Sequence, residues 1–159
     1  MNAIYNRSAA VAYAKEWALH RNPRYYNFDG IGGDCTNFAS QCLFAGSGIM
    51  NETKDVGWYY KSSRDRAAAW TDAQYLNVFL MNNRGDGPVA AAVPISQLAP
   101  GDLVQLHNGT EYYHTLVVAG FSQGEPLVCA HTEDVRLRPL HTYYAVKKQG
   151  MHILGVNRR

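Results

Sequence analysis

Three segments hold residue types that can do covalent chemistry together: Gly32-Gly33-Asp34-Cys35-Thr36-Asn37-Phe38, Tyr113-His114-Thr115 and Ala130-His131-Thr132. The first reads as a glycine loop entering a helix with Cys35 in its opening turn. Backbone N–H groups there lack partners, and the positive end of the helix dipole favours a thiolate. His114 falls on a stretch of strand character and is the expected base for that thiol. His131 falls on the next such stretch and is expected to orient the first imidazole, because a catalytic base needs a third group to fix its tautomer. Asp134, with Glu133 before it, is the rival orienter. Asp34 is expected to cap its helix, and Gly30, Gly32 and Gly33 leave room for a substrate backbone beside the sulfur.

Composition narrows the classes. The chain has 159 residues, 47% hydrophobic and 18% charged, which suits one globular domain over 1–159. Its net charge is only +2, and the nearest thing to a basic block is Lys147-Lys148 or Arg158-Arg159, so nucleic-acid binding is not expected. No apolar run approaches the ~20 residues of a membrane span. Met1 to Arg7 lacks the apolar core of a secretory signal. The expectation is a monomeric domain, either cytoplasmic or cut from an exported parent that acts outside the cell or in its envelope. Cys35 and Cys42 would stand two helical turns apart, about 10 Å along the axis, too far for a disulfide. Cys129 lies in an apolar run, and both Cys42 and Cys129 read as core thiols. CxxC and HExxH patterns are absent, and His20, His107, His141 and His152 share no ligand spacing, so no metal and no cofactor is expected.

The elements that must position these groups follow from periodicity. Ala10, Tyr13, Ala14, Trp17 and Ala18 predict a helix from Tyr5 to His20, closed by Asn22-Pro23. A second helix is predicted from about Asp34 to Ala45, with Gly46 as its stop. A third runs from about Asp72 to Met81 behind a Thr71 or Asp72 cap. Residues 51–70 show no clear period but carry Trp58, Tyr59, Tyr60 and Trp70, and residues 85–94 read as a connection. Strands are then predicted over Leu103–His107, Tyr112–Ala119, Leu127–Thr132 and Met151–Val156, the first two joined by the hairpin signal Asn108-Gly109. The middle strand, apolar on both faces, is expected to be central, with His114, Leu116 and Val118 on one face and Thr115, Val117 and Ala119 on the other. Helices first and strands later indicate an α+β fold with an antiparallel sheet.

Taken together, Tyr5-Asn6-Arg7-Ser8-Ala9-Ala10, Trp17-Ala18, Arg21-Asn22-Pro23, the block from Gly32 to Cys42, Gly57-Trp58-Tyr59-Tyr60, Gly101-Asp102 and Ala130-His131-Thr132 resemble the putative amidase domain of bacterial proteins. That family is in turn similar to NlpC/P60 peptidases, whose Asp-Cys-Ser-Gly-Phe block corresponds to Asp34 through Phe38, with Thr36-Asn37 here in place of Ser-Gly. The resemblance implies a papain-like fold with N-terminal helices on an antiparallel sheet. It also implies Cys35 as nucleophile, His114 as base and His131 as third member.

The chemistry expected of that set is acyl transfer through a thioester, with the Cys35 backbone N–H as one oxyanion donor and a hydroxyl of Tyr25 or Tyr26 as the second. Trp58, Tyr59, Tyr60 and Trp70 are candidates to wall a peptide or glycan cleft. The substrate expected is a peptide amide of the cell wall, with Arg64 and Arg66 as cations for its flanking carboxylates. Two other readings remain open: an acyl transferase on the same residues, and a binding module that has lost the chemistry.

Overall fold

The computed structural model describes residues 1–159. Helix α1 (Arg7–Trp17) begins where Asn6 turns extended and its side chain accepts the Ala9 N–H at 3.0 Å, two residues later than the apolar spacing predicts. Its buried face is Ala10 and Ala14, small enough to bring it close to α2 (Cys35–Ser47). Helix α2 is the centre of the molecule, with eleven buried residues among thirteen. It passes the predicted stop at Gly46 and ends at Gly48, which takes the left-handed conformation (φ 70°) and returns its N–H to Phe44. Gly46 has another reason to be glycine: a Cβ there would collide with the Tyr5 ring.

The 51–70 segment resolves into a two-stranded ribbon, β1 (Tyr60–Ser62) and β2 (Asp65–Arg66), and the short helix α3 (Ala68–Thr71). Trp58 and Trp70 are fully buried and tilt against each other at 4.8 Å. Their indole N–H groups donate to Ser40 and Asn37 of α2, each at 3.0 Å. Helix α4 (Ala73–Asn82) is capped by Asp72, whose side chain accepts the Tyr75 N–H.

Six strands complete the fold: β3 (Gly87–Val93), β4 (Leu103–His107), β5 (Tyr112–Ser122), β6 (Glu125–Ala130), β7 (Val135–Pro139) and β8 (Lys147–Asn157). Their order is β3-β8-β4-β5-β6-β7, every neighbouring pair antiparallel, so the class is α+β. Edge strands β3 and β7 escape the sequence reading. The first opens on Gly87-Pro88 and is centred on three alanines, with weak intrinsic preference, and exists through its pairing with β8. The second alternates Val135-Arg136-Leu137-Arg138 and ends on Pro139, the charged and proline-tipped form of a guarded edge. The helices cover one face over Leu103, Val117, Ala119, Cys129, Met151 and Ile153. The other face, with Val104, Leu106, Leu116, Val118 and Val128, is closed by Leu98, Leu140 and Tyr143 from the connections.

Two features aim the sheet at α2. Pairing of β5 with β6 stops at Val117–Cys129. Beyond it the chain turns away through Thr132 and Glu133, consecutive non-glycine residues at φ 60° and 59°. The first turn of α2 enters the space this opens, where Thr36 and Thr115 hydroxyls meet at 2.9 Å. Gln105 ties Thr115 (3.2 Å) to the Ala73 carbonyl (2.9 Å), and Asn77 donates to Gln105 at 3.0 Å.

The Gly46 contact yields a test. Alanine is the better helix residue by about 1 kcal/mol, yet overpacking a filled site costs about 1–3 kcal/mol. Gly46→Ala is therefore expected to lower the urea midpoint with the slope unchanged, and Gly46→Ala with Tyr5→Leu to recover part of the loss.

Candidate active site

Cys35 opens α2 with 8% of its surface exposed. Burial, the dominant influence, raises its thiol above the usual value, and the neighbouring Asp34 charge adds to that; the Thr115 N–H and the Thr36 hydroxyl and N–H pull the other way. The Thr36 hydroxyl is 3.7 Å from Sγ. The sulfur therefore sits where β5 has no partner on its β6 side, among donors suited to a thiolate but too dry to hold one at rest.

Cys35 and His114 line the same cleft, of about 320 Å³. Gly32, Gly33, Leu106, Tyr113, Thr132, Glu133, Tyr143 and Tyr144 complete its lining. His114 shares a sheet face with Leu106, its partner across β4–β5, and its ring lies 6.1 Å from that of Tyr143. Burial pushes His114 down to about 4; the Glu133 charge favours its protonation and Arg138 opposes it. At rest the two groups are thus thiol and neutral imidazole. A larger hollow of about 540 Å³ between the 51–57 loop and α4 has neither Cys nor His in its lining.

The expected third member lies elsewhere. His131 is 1% exposed, with Nδ1 2.6 Å from Asp34 Oδ2 and Nε2 2.8 Å from the Trp17 carbonyl oxygen. Both nitrogens are committed, so neither is left to orient His114. The strand β6 ends at Ala130, one residue before the imidazole, which drops to the helix side and stacks on Phe38 at 4.0 Å. Asp134 is also spent elsewhere: both its oxygens accept from Arg21, at 2.7 and 2.9 Å. The carboxylate nearest the cleft is Glu133, whose side chain is 86% exposed and 3.9 Å from Arg138.

Asp34 does not cap α2 with its side chain. Its Oδ1 instead accepts the Phe28 N–H and the Asn37 amide, each at 2.9 Å. Burial would raise this carboxyl, but the bonds to His131, Phe28 and Asn37 together hold it below the usual range. Arg21, bonded to Asp29 at 2.6 Å, brings its Nε within 3.2 Å of Oδ2 but makes no hydrogen bond with that atom.

The remaining expected site residues fall outside the cleft. Tyr25 packs against Tyr60 and Trp70, and the Tyr26 N–H donates to the Tyr60 hydroxyl; neither tyrosine is among the residues that line the Cys35 cleft. Trp58 and Trp70 are core, Tyr59 is buried and Tyr60 half-buried; the aromatic lining is Tyr113, Tyr143 and Tyr144 instead. Arg66 stacks on Phe28 and donates to Ser63 and Thr71, and Arg64 is likewise absent from the cleft walls. His141 pairs with Glu125, His152 with Asp102, and His107 accepts the Gly109 N–H. Nowhere do three or more His, Cys, Asp or Glu side chains gather as a set able to hold a metal ion. Sequence reasoning missed Tyr113, Tyr143, Tyr144 and the Thr36–Thr115 pair. Tyr113 and Thr115, as immediate neighbours of His114, and Thr36, next to Cys35, carried a signal; Tyr143 and Tyr144 carried none.

The chain is 34% identical over 139 residues to the uncharacterized protein YhbB of Bacillus subtilis (strain 168). That match takes in 84% of the chain and 43% of YhbB, so the chain spans less than half the length of this relative. No solved structure matches. The model of the putative amidase domain family matches residues 4–154, and the chain belongs to that family.

Proposed function

We propose that the protein is a cysteine-dependent amide hydrolase of papain-like, NlpC/P60-related type. The observation that carries this reading is the meeting of a helix-start cysteine and a strand histidine in one cleft, with the Thr115 and Thr36 N–H groups turned to the sulfur. As Sγ attacks an amide carbonyl, His114 takes the thiol proton, and the imidazolium is stabilised by Glu133. The carbonyl oxygen becomes an oxyanion held by the Cys35 N–H, which as the first residue of the helix has no intrahelical acceptor. Collapse breaks the C–N bond, and His114 returns the proton to the leaving amine. Water then attacks the thioester, giving its proton to His114; the carboxylic product leaves and the thiol is restored. The substrate is a peptide amide of the bacterial cell wall, and the protein acts at the envelope as a domain of an exported parent. The family resemblance supports this, as does a cleft with three tyrosines that suit a peptide or glycan surface.

Cys35→Ala is expected to abolish turnover with the fold intact. His114→Ala should cost roughly 10²–10⁴-fold in kcat, and the double variant should be hardly worse than the more damaging single change, because members of one catalytic unit are not additive. Circular dichroism and single-turnover kinetics check this; full activity in either single variant removes that residue from the reaction.

The pH dependence follows from the resting protonation states. His114 must be neutral to accept a proton, so activity falls as pH drops through about 4. Replacing Glu133 by Gln removes an attraction for the proton and should move that acid limb to lower pH while lowering kcat. The raised Cys35 thiol should make alkylation by iodoacetamide climb only in the alkaline range; a plateau of fast alkylation at mildly acid pH would indicate a preformed ion pair instead.

For the substrate, active protein is incubated with wall sacculi and with short muropeptides and the products are read by mass spectrometry. New amine ends that depend on Cys35 are expected. Cleavage confined to ordinary peptides or small amides overturns the cell-wall assignment, and transfer to an added amine in preference to water would make the protein a transferase.

A further inference from the structure

Each nitrogen of the buried His131 ring faces an oxygen. Nδ1 is 2.6 Å from a carboxylate oxygen of Asp34 and Nε2 is 2.8 Å from the Trp17 carbonyl. Ionised carboxylates and peptide carbonyls only accept, and a neutral imidazole has one N–H. A neutral ring would set one nitrogen lone pair against an oxygen lone pair in a site with almost no water. A proton on Asp34 Oδ2 would resolve that clash, but the same oxygen has the Arg21 guanidinium 3.2 Å away, and Oδ1 already takes two N–H donors. We infer that His131 is an imidazolium in the folded protein and serves as the positioning residue of the Cys35 loop.

Three surroundings favour the cation. Asp34 supplies the opposite charge. Trp17 is the last residue of α1, so its carbonyl lies at the negative end of that helix. The Phe38 ring stacks on the imidazole at 4.0 Å with 21° between planes, where its face attracts positive charge. Arg21, reached through Asp34, is the opposing charge, and it is shared with Asp29 and Asp134.

The placement of this ion pair gives it two effects. Through Asp34 it holds the Phe28 N–H and the Asn37 amide, the two ends of the turn that carries Gly32 and Gly33 into the cleft wall. It also offsets the Asp34 charge, which otherwise opposes thiolate formation next door. The second effect rests on Cys35 being the nucleophile of the proposed hydrolase; the charge state itself does not.

The test is a long-range ¹H–¹⁵N spectrum of histidine-labelled wild-type protein at neutral pH. Both ring nitrogens of His131 should give protonated-type shifts, while His114 gives a neutral pattern. One protonated and one bare nitrogen at His131 overturns the inference. Iodoacetamide alkylation of Cys35 in His131→Gln then reads the positioning role. The rate at neutral pH should fall about tenfold, equivalent to one unit in thiol acidity, and an unchanged rate across the pH range would refute that role. Should His131→Gln fail to fold, the wild-type spectrum still decides the charge. Failure to find any amide cleaved would count against the hydrolase and leave the spectrum as it stands.

Discussion

The structure around the cleft depends on a carboxylate that no solvent touches. Asp34 stands immediately before the cysteine and is wholly buried, so every lone pair it carries must be met from within. Those demands recruit the loop at Phe28, the first turn of α2 through Asn37, and the end of β6 through His131. Removing one partner would strand a charge in a dry site, a loss of about 3–5 kcal/mol for a buried pair. The same bond network that stabilises the loop therefore also sets where Cys35 can be.

A second constraint is geometric. A thiol at a helix start can face a histidine on the far side of a sheet only where the sheet is interrupted. The early departure of β6 provides that interruption, and the buried run Thr36–Thr115–Gln105–Ala73 fills what would otherwise be unpaired polar ground between helix and sheet. Because side chains alternate along strands, a slip of one residue in β4 or β5 would turn Gln105 or Thr115 away from these partners. The polar run thus fixes the register that sets His114 on the cleft side of its strand.

Much of the frame is legible in the residues. The helical stripe from Phe38 to Cys42, the Asp72 cap, and the central strands from Leu103 and Tyr112 all follow from period and capping chemistry. The α+β class with its antiparallel sheet follows from their order. What is not legible depends on contacts across the fold. A strand that opens on Gly-Pro and is centred on three alanines, such as β3, has little local mark and is created by β8. Trp58 and Trp70 have the same composition whether they line a cleft or fill a core; the hydrogen bonds from their indoles to Ser40 and Asn37 decide it. His131 reads as one more strand position because period alone cannot show that β6 ends at Ala130. Asp34 reads as a cap because helix starts favour Asp, and the demand from Phe28 and His131 arises only in three dimensions.

The bend at Thr132-Glu133 holds two side-chain-bearing residues in a conformation that glycine would adopt freely, at a cost on the order of 1–3 kcal/mol each. Glycine at either place would relieve that cost. However, the Thr132 hydroxyl accepts the Asp34 N–H at 3.1 Å, and the Glu133 carboxylate is the charge beside His114. The energy stored in this turn is therefore inseparable from the groups it presents. A chain optimised for endurance alone would discard both, so at these two positions thermal robustness and the proposed chemistry are set against each other by the backbone itself.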